Sequence, residues 1–281
     1  LGRPLFIILL LIMIPLATTE LGVDSWVTDL LAPILGDNAG WVVVYTAVIM
    51  TVLRFYAGPI VHRISPLGLL ALSSAIALVG LYVLSTAAGF MIFIAATLYA
   101  VGKTFFWPTM LGIAGERFPR GGALTLNGIT GVGMLAAGVF GAAFLGNIQD
   151  KQIDSELKSQ NPSIHSRIMG EEKSSVWGNY KPIDQNKLES LSSTQKSTVE
   201  SVQASAKQGA LSTVAVFPAI MLLAYIAMMM YFRSIGGYKP ILLEDESDDF
   251  SGSSEKIEPT VEDQNLKNDD NSKSEMANEE E

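Results

Sequence analysis

The sequence predicts an all-α membrane protein of six transmembrane helices, arranged as two three-helix repeats. Residues 1–146 and 210–233 are mostly apolar, in runs of about 20 residues that carry very few charges. Runs of that length cross the roughly 30 Å hydrocarbon layer as helices, whereas the buried helices of soluble proteins are shorter and more often interrupted by charge. The connections between the runs alternate in charge, which sets a topology. The first and fourth runs also share one irregularity, a charged residue close to a proline in an otherwise apolar helix. In the first, Pro15 is followed by Thr18, Thr19 and Glu20; in the fourth, Lys103 is followed by Trp107 and Pro108. Broken helices at corresponding places in two repeats are a signature of transport folds.

The spans fall near residues 4–27, 41–61, 67–86, 89–112, 122–146 and 211–233. In hydrocarbon every backbone polar group needs an internal partner, so each span must be helical. The link 28–40 contains Asp29 and Asp37 but no basic residue, and the link 87–88 is uncharged. Arg3, His62 with Arg63, Arg117 with Arg120, and Arg233 with Lys239 all fall on the other side of a six-span model. Lys and Arg concentrate in short cytoplasmic loops. The expected topology is therefore a multi-pass protein of the inner or plasma membrane with both ends cytoplasmic.

Four segments follow. Residues 1–146 hold spans one to five. Residues 147–209 form a long polar non-cytoplasmic loop with 8 basic and 8 acidic residues, within which 187–208 has the composition of a polar helix leading into the last span. Residues 210–233 are the sixth span, and 234–281 form an acidic, disordered cytoplasmic tail. The net charge of −9 comes from that tail, since residues 241–281 contain 15 acidic and 3 basic side chains. Such a stretch cannot bury enough apolar surface to fold alone. No basic patch points to nucleic acid.

There are no cysteines and only two histidines, His62 and His165, far apart in the chain. That excludes disulfides and thiolate chemistry and argues against a metal centre or a cofactor held by such ligands. No Ser–His or paired-Asp arrangement lies in the spans, so an enzyme is not expected. The chain begins at Leu1, with Arg3 ahead of an apolar run. A signal peptide has that charge order, but no convincing small-residue cleavage pattern follows. A piece of a longer chain is the expectation.

Gly102-Lys103-Thr104 imitates a phosphate loop, yet a phosphate loop needs a glycine five residues earlier, where Thr97 stands, and a flexible turn after a strand. An apolar membrane helix offers neither. Lys103 lies near the middle of its span, where a lysine costs about 2.5–3.5 kcal/mol on insertion scales. Such a residue faces a bundle interior or a water-filled cavity with a partner, here Glu20, Asp24 or a bound anion. Glu20 and Asp24, four residues apart, share one helical face. They are either proton-carrying groups of the interior or groups of the water interface. Phe106 and Trp107 beside Lys103 are candidate solute contacts, as is Asn127, the polar side chain in the upper part of span five. Gly133, Ala137 and Gly141, with Gly138, Ala142 and Gly146, recur every four residues and mark close helix packing.

The link after span two, LRFYAGPIVHRISPLGLL, resembles the major facilitator superfamily loop G-x-x-x-D-R-x-G-R: Gly58 and Arg63 match, while His62 replaces the Asp and Ser65 the second Gly. The junction FFWPTMLGIAGERFPRGG resembles the superfamily pattern of an aromatic-Pro pair followed by Glu-x-Phe-Pro and a basic residue, with Trp107, Pro108, Glu116, Phe118, Pro119 and Arg120 in place. The resemblance covers the six spans and corresponds to the C-terminal six-helix half of a twelve-helix transporter. It implies a cytoplasmic gating network of Arg54, Arg63, Glu116 and Arg120 around Gly58. It implies alternating access against an N-terminal six-helix half, coupled to H+ or Na+, as in a symporter. The aromatic and polar candidates, Lys103, Trp107, Phe106, Glu20, Asp24 and Asn127, suit a small sugar-like solute. An organic anion held by Lys103, or a non-transporting membrane receptor or scaffold, are the alternatives.

Overall fold

The computed structural model describes residues 4–61 and 63–241. Arg3, His62 and the acidic tail from residue 242 lie outside the described residues. Six helical stretches are long and apolar enough to cross a membrane: Pro4–Gly22, Gly36–Phe55, Pro66–Leu84, Met91–Arg117, Pro119–Gln160 and Ser193–Ser234. They correspond one for one to the expected spans.

Span one is built from α1 (Pro4–Ala17), a π-helical turn (Thr18–Gly22) and α2 (Val23–Leu35). Span two is α3 (Gly40–Phe55), followed by the short α4 (Gly58–Val61). Span three is α5 (Pro66–Leu84), capped by the Ser65 side chain accepting from the Gly68 N–H, with Pro66 at the first helical position where no N–H is needed. Span four is broken into α6 (Met91–Lys103) and α7 (Phe106–Arg117). Span five combines α8 (Gly122–Ala136), a second π-helical turn (Ala137–Ala142) and α9 (Ala143–Gln160). After α10 (Pro162–Ile168), the hairpin β1 (Lys173–Ser175) and β2 (Gly178–Tyr180), and α11 (Gln185–Glu189), the chain returns through α12 (Ser193–Val214) into span six, α13 (Val216–Ser234).

Small residues decide which spans touch. α5 and α6 pack backbone to backbone because glycines face the partner helix: a methyl group on Gly102 would sit 2.8 Å from Ala77 Cβ, and one on Gly80 2.7 Å from Tyr99 Cα. The two π-helical turns meet in the same way, Gly22 against Gly141. One apolar core lies between α1, α5, α7 and α13, around Leu9, Met13, Leu70, Phe106 and Tyr225. A second joins α2, α3, α5, α6 and the start of α9, around Leu31, Leu81, Ala96, Tyr99 and Leu145. Spans two and five keep exposed apolar faces, Trp41, Val44 and Val48 on one and Leu124, Met134 and Leu135 on the other.

The segment expected as a polar loop is ordered. α9 continues beyond the apolar run, and α12 returns beside it for 22 residues. Each carries a thin apolar stripe, Ile153 and Leu157 on α9 and Val199, Val202 and Ala206 on α12, which close a third core with Ile164, Ile168 and Leu191. The stripes are one residue per turn, too sparse to stand out against the polar composition. α12 opens at Ser192, whose side chain and that of Gln195 form a reciprocal capping box. At the other end of the molecule the chain leaves α13 through Gly236 and Gly237, with φ of 93° and 97°. It then crosses α7: Tyr238 Oη donates to Glu116 at 2.6 Å, the Ile241 N–H to the Glu116 carbonyl at 2.9 Å, and Arg117 to the Lys239 carbonyl at 2.6 Å.

The α5–α6 contact yields a paired test. Gly102→Ala is expected to lower stability in detergent, in the direction of the ~1–3 kcal/mol that overpacking costs. Gly112→Ala, where no atom lies within 4 Å, is expected to be neutral or mildly stabilising, since alanine is the better helix former. Thermal unfolding of both variants checks the order.

Candidate functional site

Two ion pairs lie one helical turn apart, and both reach into the bundle, although the arginine of one is 41% exposed. Lys103, with no exposed side-chain surface, pairs with Asp24. One turn along the same face, Arg54 Nη2 donates to Glu20 Oε1 at 3.1 Å. Their common depth follows from helix rise, counted from the helix ends opposite the arginine-rich links. Lys103 is twelve residues from Met91, or about 18 Å. Arg54 is fourteen residues from Gly40, or about 21 Å. Asp24 is eleven residues from Leu35, or about 17 Å. Glu20 is fifteen residues from Leu35, or about 22 Å. Partners are therefore level across three helices.

Glu20, Asp24 and Lys103 sit at interruptions of their spans, and Arg54 sits in the last turn of α3. Pro15 cannot continue the hydrogen-bond ladder of α1, and Thr18 and Thr19 bond back to the carbonyls of Ile14 and Pro15 at 2.9 and 2.7 Å. The π-helical turn that follows places Glu20, and α2 places Asp24. In span four, Pro108 has no N–H, so the carbonyl four residues earlier, Thr104, loses its helical partner. Arg54 Nε donates to that carbonyl at 3.0 Å. The break between α6 and α7 thus makes Lys103 the last residue of α6, where a cation is favoured by the helix dipole. Tyr99, one turn before Lys103, holds its ring 4.7 Å from the ammonium and donates its hydroxyl to the Thr19 carbonyl at 2.6 Å. Glu20 Oε2 is buried and has no hydrogen-bond partner among the described residues.

Below Arg54 a cleft of about 320 Å³ opens between the end of α3 and α7. Arg54, Phe105, Pro108, Thr109 and Gly112 line it, and Glu116 stands at its far end.

Of the residues expected in the solute site, Lys103, Glu20 and Asp24 are brought together. Trp107 is half-buried and packs on Met13 and Gly133. Asn127 is exposed on α8 and forms no hydrogen bond among the described residues. Phe106 departs from expectation: it is fully buried in the core of α1, α5 and α7 and cannot touch a solute without repacking. Successive residues of a helix point about 100° apart, so Phe105, Phe106 and Trp107 cannot form one wall.

The gating network implied by the loop resemblance is not assembled either. Arg54, the penultimate residue of α3 with 41% of its side chain exposed, turns instead to Glu20 and the Thr104 carbonyl. Arg63 and Arg120 are exposed, and Glu116 accepts from Tyr238. Gly58 opens α4 with nothing within 4 Å of a built methyl group. No salt bridge among the described residues joins Arg54, Arg63, Glu116 and Arg120. Sequence reasoning missed Tyr99 and the Thr104 carbonyl. Tyr99 was findable as an aromatic four residues before Lys103, and the carbonyl as the one orphaned by Pro108.

No family model matches the sequence, and no curated protein matches it. A solved structure does match the fold: the crystal structure of a bacterial homolog to the human lysosomal transporter Spinster, in an inward-facing and occupied conformation. The TM-score is 0.64 at 14% sequence identity, over 85% of this chain and 52% of that one. The chain has an all-α membrane fold, shared with part of that structure. It spans about half the length of that protein.

The buried pair makes a stability prediction. Lys103→Met alone leaves Asp24 without its counter-charge and is expected to cost about 3 kcal/mol. That is the low end for a broken buried pair, because the Asp24 side chain keeps 28% exposure. Lys103→Met with Asp24→Leu is expected to recover most of that loss. Thermal denaturation in detergent compares them, and a double variant no better than the single would refute the pairing.

Proposed function

We propose that this chain is the C-terminal six-helix half of a major facilitator-type secondary transporter. In this reading it carries a small polar, sugar-like solute by alternating access, driven by an ion gradient. The observation that carries the proposal is the buried Lys103–Asp24 pair, with the buried Glu20 held by Arg54 one turn away, at the helix interruptions of spans one and four. Such groups in a membrane interior line ion and solute pathways. The exposed apolar faces of spans two and five fit docking of an N-terminal half, and the basic links fit a topology with both ends cytoplasmic.

The roles follow from geometry. Glu20 is the proposed proton carrier, since one of its oxygens is already free of partners while Arg54 holds the other. Asp24 and Lys103 form the neighbouring pair that a solute hydroxyl would open, and Trp107 and Asn127 are proposed contacts on the flanking helices. The cleft from Arg54 to Glu116 is the proposed access path on the cytoplasmic side, and Gly58, Arg63 and Arg120 are proposed gating residues. Pairing of Lys103 with Asp24 favours a neutral solute over an organic anion, which would have to displace a carboxylate already in place.

Reconstitution with a matching N-terminal half tests the reading. Glu20→Gln is expected to abolish accumulation driven by a proton gradient while sparing solute exchange between equilibrated compartments. Lys103→Ala is expected to reduce both. Uptake by the six-span chain alone would overturn the half-transporter assignment, and unchanged uptake and solute affinity in Lys103→Ala would make that lysine structural.

A further inference from the structure

The extramembrane unit between spans five and six folds back toward the bundle. The β1–β2 hairpin pairs Ser175 with Gly178, so Val176 and Trp177 form its two-residue turn. That turn is strapped to α9. Asn147, buried to 4% exposure, donates to Ser175 Oγ at 3.0 Å and to the Gly178 carbonyl at 3.3 Å. Lys151 Nζ donates to the Trp177 carbonyl at 2.8 Å. Its direction is toward the membrane-spanning part, because the Trp177 ring stacks edge-on against Phe144 with centroids 4.9 Å apart, and Phe144 in turn lies 5.3 Å from Phe217 of α13.

Helix rise sets the depth of this aromatic cluster. Phe217 is seventeen residues from Ser234, the end of α13 beside the basic links, or about 26 Å. Phe144 is twenty-two residues from Gly122, or about 33 Å. A hydrocarbon layer of about 30 Å therefore ends at these two rings. Trp177 lies at the level where tryptophan is enriched in membrane proteins, the boundary between apolar and polar solvent. Val176, next to it, is 94% exposed, an apolar side chain with no cover from the chain itself. On α13, whose Phe217 belongs to the same aromatic cluster, Val216, Ile220 and Leu223 are exposed at 47%, 50% and 68%.

We infer that the 173–180 hairpin is a lipid-binding foot: Val176 and Trp177 enter the bilayer interface on the side opposite the basic links and seat the extramembrane unit on the membrane. The occupant is lipid because the turn packs through Trp177 and Phe144 onto Phe217 of span six, level with the rim of the hydrocarbon layer. Asn147 and Lys151 hold the turn rigidly, so it enters as a preformed element. The contact fixes α9 and α12 where they leave the membrane.

The absence of native cysteines allows single nitroxide labels to be placed without any background substitution. Val176→Cys and Ser193→Cys are labelled in the full chain and reconstituted into vesicles of phosphatidylcholine and phosphatidylglycerol. Ser193 begins α12, twenty-one residues before Val214, or about 32 Å along that helix. Power-saturation spectroscopy then compares collision with oxygen, which concentrates in lipid, against a neutral nickel chelate, which stays in water. The expected result is oxygen access exceeding nickel access at 176 and the reverse at 193. Nickel access at 176 equal to that at 193 would place the turn in water and overturn the proposal. Exclusion of both reagents at 176 would show a protein surface covering it and overturn it equally.

Discussion

The arrangement rests on the cost of putting charge inside a hydrocarbon-embedded bundle. An unpaired lysine or carboxylate there costs several kcal/mol, and pairing offsets that cost only when geometry is good and the remaining polar atoms are bonded. Lys103 meets the condition by taking Asp24 on one side and the Tyr99 ring on the other. Tyr99 must then be held still, and it is, by its hydroxyl on Thr19 and by Gly80 pressed against its backbone. The tight α5–α6 packing is thus a precondition of the charge pair, because a looser α6 would move Tyr99 and Lys103 away from span one.

Backbone irregularity supplies the other half of the site. A regular helix consumes its own carbonyls and has nothing to offer a neighbouring side chain. Pro108 releases the Thr104 carbonyl, and Arg54 takes it while reaching Glu20. The guanidinium suits that double task because its donors are fixed in a planar fork, so one nitrogen can serve a carbonyl while another serves a carboxylate. A lysine at 54 would present a single point charge. Tying span two to both span one and span four through one side chain means that motion of any of the three changes the partners of the other two.

The six spans, their order and the interruptions at Pro15 and Pro108 are legible in the sequence, because length, apolarity and proline act locally. The pairing is only partly so. Glu20, Asp24 and Lys103 stand out as charges in apolar runs, but which carboxylate takes the lysine depends on rotation about the span-one axis, and the π-helical turn shifts that rotation. Arg54 looks like a gating residue of the cytoplasmic end because of the loop pattern beside it, whereas its guanidinium turns to Glu20 and the Thr104 carbonyl. Phe106 misleads for a related reason, since adjacency in sequence is not adjacency on a helix face. The unit between spans five and six is hidden by its composition: one apolar residue per turn suffices for a core when two long helices run side by side, but gives little signal in either helix alone.

Those two long helices bear on how the bundle can move. α9 and α12 extend spans five and six beyond the membrane and share the core of Leu157, Val199 and Val202. α12 is also latched to the link between spans three and four, where the Gln208 side chain donates to the carbonyls of Leu84 and Ala87 at 3.1 and 2.6 Å. At that end of the molecule, spans three, four, five and six are therefore joined through one rigid unit. Span two shows no such tie among the described residues; it is the least buried of the six, and it is joined to its neighbours by the Arg54 fork and by the Tyr45–Thr97 hydrogen bond of 2.7 Å. In the proposed mechanism, loading Glu20 breaks that fork and loosens span two from spans one and four. In that mechanism a local change of charge at Glu20 becomes a movement of span two against its neighbours.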